Sequence, residues 1–385
     1  MKEDEIAALL AWYEKNKRSM PWREDPSPYH VYISEIMLQQ TRVEAVRPYY
    51  LRFLTELPDI KALAEAREER LLKLWEGLGY YSRARNLKKT AEIVVRDYGG
   101  ELPKEAEELK KLPGIGDYTA GAISSIAYRQ PETAVDGNVL RVLSRLRGDG
   151  RNIAEEKTKK AVKEELRQEL AETGLKPELY RIFNQAVMDM GETVCLPNGA
   201  PLCEKCPLNG TCIAHKEGKE LELPVKTRPK KRRIEKRTVL LIQRGNRVLL
   251  KRRPESGLLA GMYEFPNISG HYKRKELLPA LRTEGTGTTA LPEEAEEEIL
   301  TLPSAKHIFS HIEWEMEGYL LRLCQGKETD KGRNGEAETE ITGETKAKKR
   351  SETEETWALR EELLQKYSIP SAFRVYTGIA LEILG

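Results

Sequence analysis

Four of the chain's five cysteines, Cys195, Cys203, Cys206 and Cys212, fall in one eighteen-residue stretch with the spacing C-x7-C-x2-C-x5-C. Four thiols packed this closely demand a shared partner. Two disulfides would satisfy them in an oxidising compartment. The chain instead reads as intracellular: its acidic, amphipathic start, MKEDEIAALLAWYEKNKR, lacks the basic head, apolar centre and small-residue cleavage site of a secretion signal. No stretch approaches the roughly 18 apolar residues of a membrane span. Reduced thiols favour metal ligation, and four thiolates suit zinc or an iron–sulfur cluster. Zinc sites more often pair two C-x2-C knuckles, whereas only Cys203 and Cys206 form one here. The fifth cysteine, Cys324, stands on an expected strand and reads as a small buried apolar residue.

The 385 residues suggest two or three domains, with 33% charged side chains and a mean hydropathy of -0.60. The formal net charge of +2 conceals a strong asymmetry. Residues 1–225 carry net -2, residues 226–237 (KTRPKKRRIEKR) carry +7, and residues 238–385 carry -3. The basic run reads as a domain linker that is either solvated or in contact with phosphates. Before it the apolar spacing is helical, at 5–17, 84–97, 117–128, 137–147, 157–171 and 177–190, with a further helix opening at Pro28 behind Asp25 or Ser27. After it come strand candidates: Thr238–Gln243 and Val248–Leu250 around a turn at Gly245-Asn246, then Tyr263–Phe265, Lys306–Phe309 and Tyr319–Leu323. Residues 326–355 are polar and read as a disordered insertion. Core-forming residues resume at Trp357, Leu359, Leu363 and Leu364.

Three polar features stand out among the helices. Pro113-Gly114-Ile115-Gly116 separates two helical stretches. It is either a compact connector or a turn whose N–H groups hold a phosphate. Asp136 precedes a helix and reads as an N-cap. Glu35 lies beside apolar Ile33, Ile36 and Met37 and reads as a solvated carboxylate or a buried acid.

Together these features resemble the helix-hairpin-helix DNA glycosylase superfamily with a 4Fe–4S loop. Within it, Ser34-Glu35-Ile36-Met37-Leu38-Gln39-Gln40-Thr41 resembles the signature of the MutY-type adenine DNA glycosylases. Pro21-Trp22-Arg23, Gly77 to Asn86 (GLGYYSRARN) and Phe183-Asn184-Gln185-Ala186 agree with it. The resemblance covers residues 5–325 and resumes near 355. It departs from the family in the first cysteine spacing, seven residues rather than six, and in the 326–355 insertion.

The resemblance implies a mostly α helix-hairpin-helix domain over 1–225, with the cluster loop at 195–212. It implies an α+β, Nudix-like domain over 238–385. The implied substrate is duplex DNA carrying adenine opposite 8-oxoguanine or guanine. Glu35 would be the general acid and Asp136 the oxocarbenium stabiliser or nucleophile, with Asn138 and Tyr118 supporting Asp136. Tyr118 stands where bifunctional relatives carry a Schiff-base lysine, which implies a monofunctional enzyme. Gln40, Thr41 and Tyr80 would enter or wedge the duplex. Trp22, Arg23 and Gln185 would line the adenine pocket, and Gly114 and Gly116 would approach the backbone. The segment 257–266 (GLLAGMYEFP) resembles the family's C-terminal domain, without a hydrolytic Nudix motif; the acidic run 293–298 lacks the needed Arg and Gly. Phe309, Ser310 and His311 match its lesion-reading loop. Cys195, Cys203, Cys206 and Cys212 would hold a 4Fe–4S cluster. The expected protein is a cytoplasmic monomer, nucleoid-associated if bacterial. Three other readings compete: an endonuclease III-type glycosylase/lyase, a silent lesion-binding protein and a nucleotide hydrolase.

Overall fold

The computed structural model describes residues 1–227, 231–283, 297–323 and 354–385. The chain begins with α1 (Glu3–Asn16), α2 (Pro21–Glu24), α3 (Pro28–Leu38), α4 (Val43–Glu56), α5 (Ile60–Glu65), α6 (Glu68–Trp75) and α7 (Ser82–Asp97). It continues with α8 (Ala106–Leu109), α9 (Asp117–Tyr128), α10 (Gly137–Arg147), α11 (Glu156–Glu172), α12 (Pro177–Thr193) and α13 (Ile213–Glu217). The helical spacing of the sequence therefore translates into helices with ends shifted by a few residues. Pro28 and Pro177 each open a helix, where a missing N–H costs nothing.

The chain divides into two compact units. Unit 1 is Met1–Glu68 with Tyr80–Pro229, and unit 2 is Glu69–Gly79 with Lys230–Gly385. The segment 69–79 thus groups with unit 2 although it lies inside the stretch expected to be wholly helical domain. In unit 1 a core of Leu9, Tyr13, Val139, Leu143, Leu166, Phe183, Val187 and Met190 joins α1, α10, α11 and α12. The same core receives Cys195, Cys206 and Cys212 at its edge. Turn 110–116 connects α8 to α9. Gly114 has φ +77, and a Cβ there would lie 2.8 Å from the Cβ of Asn86, so the turn requires glycine.

Unit 2 is built on a sheet of β1 (Arg233–Arg244), β2 (Arg247–Arg252), β3 (Tyr263–Glu264), β4 (Asn267–Ser269), β5 (Glu297–Ile308), β6 (Ile312–Leu323) and β7 (Glu355–Leu359). The strand order is β3-β2-β1-β6-β5, with β4 on β1 and β7 on β2. β1 and β6 run parallel and the other pairs antiparallel. Helix α14 (Arg274–Thr283) packs on one face, and α15 (Arg360–Gln365) and α16 (Arg374–Ile383) complete the other. Alternation in the strands feeds both faces. Val239 and Leu241 enter a core with Trp314, Phe373 and Tyr376, whereas Leu240 and Ile242 enter a core with Leu277 and Leu321. Gly318 on β6 admits Tyr376, whose ring would lie 2.3 Å from a Cβ placed there.

Several expectations change. The basic segment 226–237 is not all linker, because β1 starts at Arg233. Two of its cations are partnered there: Glu235 pairs with Arg233 and Arg237, and the Arg237 guanidinium stacks 4.1 Å from the Trp314 ring. The proposed disordered insertion and Cys324 lie outside the described residues, apart from Glu354 and Glu355, and Glu355 opens β7. Leu364 is 48% exposed rather than part of the core, since it faces away from Leu363. Among the described residues no helix is long and apolar enough to cross a membrane.

Candidate active site

Unit 1 contains a cavity of about 680 Å³ lined by Trp22, Arg23, Glu35, Gln40, Thr41, Tyr118, Asp136, Asn138 and Gln185. Five stretches of chain, within 18–23, 31–44, 118–126, 136–138 and 185–192, therefore converge on one space.

Glu35 lies within α3, 7% exposed, between fully buried Ile33 and Met37. The Tyr118 hydroxyl donates to Glu35 Oε2 at 2.7 Å. Burial pushes the Glu35 carboxyl up to about 7, with a smaller upward push from Asp136; the Tyr118 hydrogen bond and the Arg23 charge oppose the rise. The family resemblance implies that Tyr118 supports Asp136. The structure instead bonds it to Glu35, because α9 packs directly on α3.

Asp136 is the N-cap of α10 and accepts from the Val139 N–H at 2.8 Å through Oδ1. Its other oxygen accepts from Asn138 Nδ2 at 2.8 Å. Its capping role and its place in the cavity are thus simultaneous. Burial raises its pKa, against the two N–H donors and the charge of Arg141.

Trp22 packs edge-on against Tyr50, with ring centroids 5.3 Å apart. Arg23 is clamped by Asp189, which accepts from Nη1 at 2.7 Å and Nη2 at 2.9 Å. Arg18 donates to the same carboxylate at 2.7 Å. Burial alone would raise Asp189, but the two guanidiniums hold it below its ordinary value. Asp189 was not anticipated as part of the site. Its place four residues after Gln185, on the same face of a helix, was the available signal.

Gln40 follows α3 with φ 56 and Tyr80 has φ 49, both in the left-handed region. Tyr80 is 45% exposed and lies outside the cavity lining. Arg83 supports the Gln40 turn. Its Nη1 donates to the carbonyls of Ile36, Met37 and Gln39 at 2.8, 2.9 and 2.6 Å, and Nη2 to Thr41 Oγ1 at 3.3 Å. Gly116 is the N-cap of α9, outside the cavity lining along with Gly114.

The four clustered cysteines are free thiols that line a second hollow, with Arg145, Leu146, Met190 and Leu208. Arg145 is 4% exposed, and its Nη1 donates to Cys195 Sγ at 3.3 Å. Burial pushes the Cys206 thiol up to about 11. Convergent sulfurs in an apolar hollow with a buried cation beside them fit a thiolate-bound metal centre. Beside Cys203, His215 Nδ1 and Glu220 Oε1 are 2.7 Å apart. Arg141 links this loop to the cavity: it donates to the Cys195 carbonyl at 2.9 Å and to Asn138 Oδ1 at 2.9 Å.

In unit 2, Phe309, Ser310 and His311 form the turn between β5 and β6. Phe309 is half-buried, its ring centroid 4.8 Å from that of Trp314, whereas Ser310 and His311 are exposed.

Known proteins match both units. Residues 33–168 match the model of the HhH-GPD superfamily base excision DNA repair protein, and residues 238–377 that of the NUDIX domain. The adenine DNA glycosylase of Rattus norvegicus is 37% identical over 371 residues, which cover 82% of this chain and 70% of the relative. That of Homo sapiens is 35% identical over 374 residues, 82% of this chain and 66% of the relative. The solved structure of a thermostable thymine-DNA glycosylase superposes on 56% of this chain and 98% of its own, with a TM-score of 0.50 and 29% identity. The fold is a helical HhH-GPD glycosylase unit joined to a Nudix-like α+β unit, and the chain belongs to the adenine DNA glycosylase family.

Proposed function

We propose that the protein is a monofunctional glycosylase that releases adenine from duplex DNA where it faces 8-oxoguanine or guanine. The observation that carries this reading is the pair of differently held carboxyls in one cavity, Glu35 on Tyr118 and Asp136 on Asn138. Adenine leaves poorly as an anion, so a ring nitrogen, N7 in this family, must gain a proton as the glycosidic bond stretches. An acid with a pKa near the working pH does this best, and burial places Glu35 there. The sugar then becomes oxocarbenium-like. The N–H donors on both Asp136 oxygens favour its ionised form against the push of burial, and the carboxylate would face that charge. Water completes the hydrolysis.

Tyr118 is a phenol and forms no Schiff base, which supports glycosylase chemistry without strand cleavage. Flipping the base costs a few kcal/mol, and Gln40, Thr41 and Tyr80 are suited to fill the gap. The backbone turn at Gly114 and Gly116 is suited to a DNA phosphate. Phe309, Ser310 and His311 would read the opposite base, Phe309 by stacking and the other two by hydrogen bonds. The Nudix-like unit lacks the hydrolytic motif in its sequence, which supports binding over hydrolysis. Cys195, Cys203, Cys206 and Cys212 would hold a 4Fe–4S cluster. Such a cluster supplies a folding constraint for the loop, and redox capacity.

Single-turnover incubation with duplex containing adenine opposite 8-oxoguanine, followed by alkali, tests the reading. Cleavage at the adenine site is expected, and its absence overturns the proposal. Borohydride should trap no covalent complex on abasic DNA; efficient trapping would mark a lyase.

A further inference from the structure

Gln185 lines the unit 1 cavity from α12 with only 7% of its surface exposed. A side-chain amide has two ends of opposite chemistry, an oxygen that accepts and an NH2 that donates. An unrestrained amide turns either end toward a bound ring, and then it selects nothing. Here one end is occupied. Tyr13 on α1, 4% exposed, donates its hydroxyl hydrogen to Gln185 Oε1 at 2.8 Å. Tyr13 is not among the cavity-lining residues, so it acts from behind Gln185.

The phenol is itself held in place. The Arg23 guanidinium lies 5.8 Å from the Tyr13 ring centroid, and Arg23 is clamped by Asp189. Burial pushes the Tyr13 pKa up, so the hydroxyl keeps its hydrogen near neutrality. Among the described residues the hydroxyl has no second partner, and no protein group accepts from Gln185 Nε2. A flipped amide would leave the Tyr13 hydrogen buried without an acceptor, which is disfavoured.

We propose that Tyr13 is a positioning residue for base selection: by occupying Gln185 Oε1 it commits the amide to present its NH2 to the base in the cavity. The selected base then needs a ring acceptor at that edge. Adenine has three such nitrogens, N1, N3 and N7, whereas guanine carries a hydrogen on N1. This inference rests on the reading that the cavity holds an extruded adenine.

The test uses the full chain and duplexes with an uncleavable 2′-fluorinated adenosine opposite 8-oxoguanine. Three counterparts carry 1-deaza, 3-deaza or 7-deaza adenine, each missing one ring acceptor. Dissociation constants are measured for the wild type and for Tyr13→Phe, which keeps the ring and loses the hydroxyl. One deaza substitution should weaken wild-type binding about tenfold, and the same substitution should weaken Tyr13→Phe binding less than about threefold. A merely structural role for Tyr13 would lower affinity for all four duplexes alike. Equal deaza penalties in both proteins at all three positions, or no penalty in the wild type, overturns the proposal.

Gln185→Glu provides a second arm. It keeps an acceptor for Tyr13 and replaces the donating end, so adenine affinity should fall about tenfold. Wild-type affinity in that variant also overturns the proposal. If wild-type protein releases no adenine in single turnover, the underlying function fails instead. Failure of the Tyr13 inference leaves that release intact.

Discussion

Glu35→Gln separates the acid from its shape. The glutamine keeps an acceptor for the Tyr118 hydroxyl, now 2.7 Å from Glu35 Oε2, but it cannot titrate. In the wild type, burial moves the carboxyl from its ordinary 4.5 to about 7. Between those values the folded protein holds a proton that the unfolded chain has released, so stability falls as pH rises through the window. The linked free energy is about 3 kcal/mol, at 1.36 kcal/mol for each pH unit. Unfolding free energies of both proteins, measured by urea titration from pH 4 to pH 9, should therefore diverge. The wild-type-minus-variant difference should be level below about pH 4.5. It should decline to about 3 kcal/mol less by pH 8. Asp136 is present in both proteins, so its titration largely cancels. The single-turnover rate of the wild type should fall about tenfold per unit above pH 7, as the acid form is lost, and the variant should be about 100-fold to 10,000-fold slower. Parallel stability curves would refute the burial argument. A wild-type rate that climbs through pH 7 would refute the general-acid role.

Four further outcomes follow from the geometry. Asn138→Ala removes a donor from Asp136 and an acceptor from Arg141; single-turnover cleavage should drop about 100-fold, or about 3 kcal/mol, with unchanged iron content. Cys203→Ser should yield protein with less than four irons and a weaker brown chromophore by absorption spectroscopy, and full iron loading would remove Cys203 from the ligand set. Arg83→Gln strips donors from the carbonyls that end α3; a loss of about 2–4 kcal/mol in unfolding free energy is expected, and a change under about 0.5 kcal/mol would show the turn to be self-supporting. Phe309→Ala should reduce the preference for 8-oxoguanine over guanine more than it slows turnover opposite guanine; equal slowing would point to a packing role beside Trp314.

Much of the helical unit was legible because its periodicity is local. Apolar residues at helical spacing and proline at Pro28 and Pro177 mark α3 and α12 without knowledge of their neighbours. Strand limits were harder. The start of β1 is hidden in a run of like charges, since the Glu235 pairs and the Arg237–Trp314 stack that make extension favourable become visible only once β6 lies alongside. The end of the polar insertion at Glu355 was obscured in the same way, because β7 is defined by its ladder with β2.

The sequence by itself determined the chemical inventory: four thiols in one loop, two carboxyls in apolar and capping contexts, and a tyrosine at 118. It did so because residue type and short spacing are properties of the chain. The tertiary structure alone decided who touches whom. It turned Tyr118 onto Glu35 instead of Asp136, set Asp189 behind Arg23, and placed Arg141 between Asn138 and the Cys195 peptide. Those pairings span up to 166 residues of chain, and no local pattern encodes them. They arise where buried polar groups, cut off from water, must find partners among whatever the packed helices bring near.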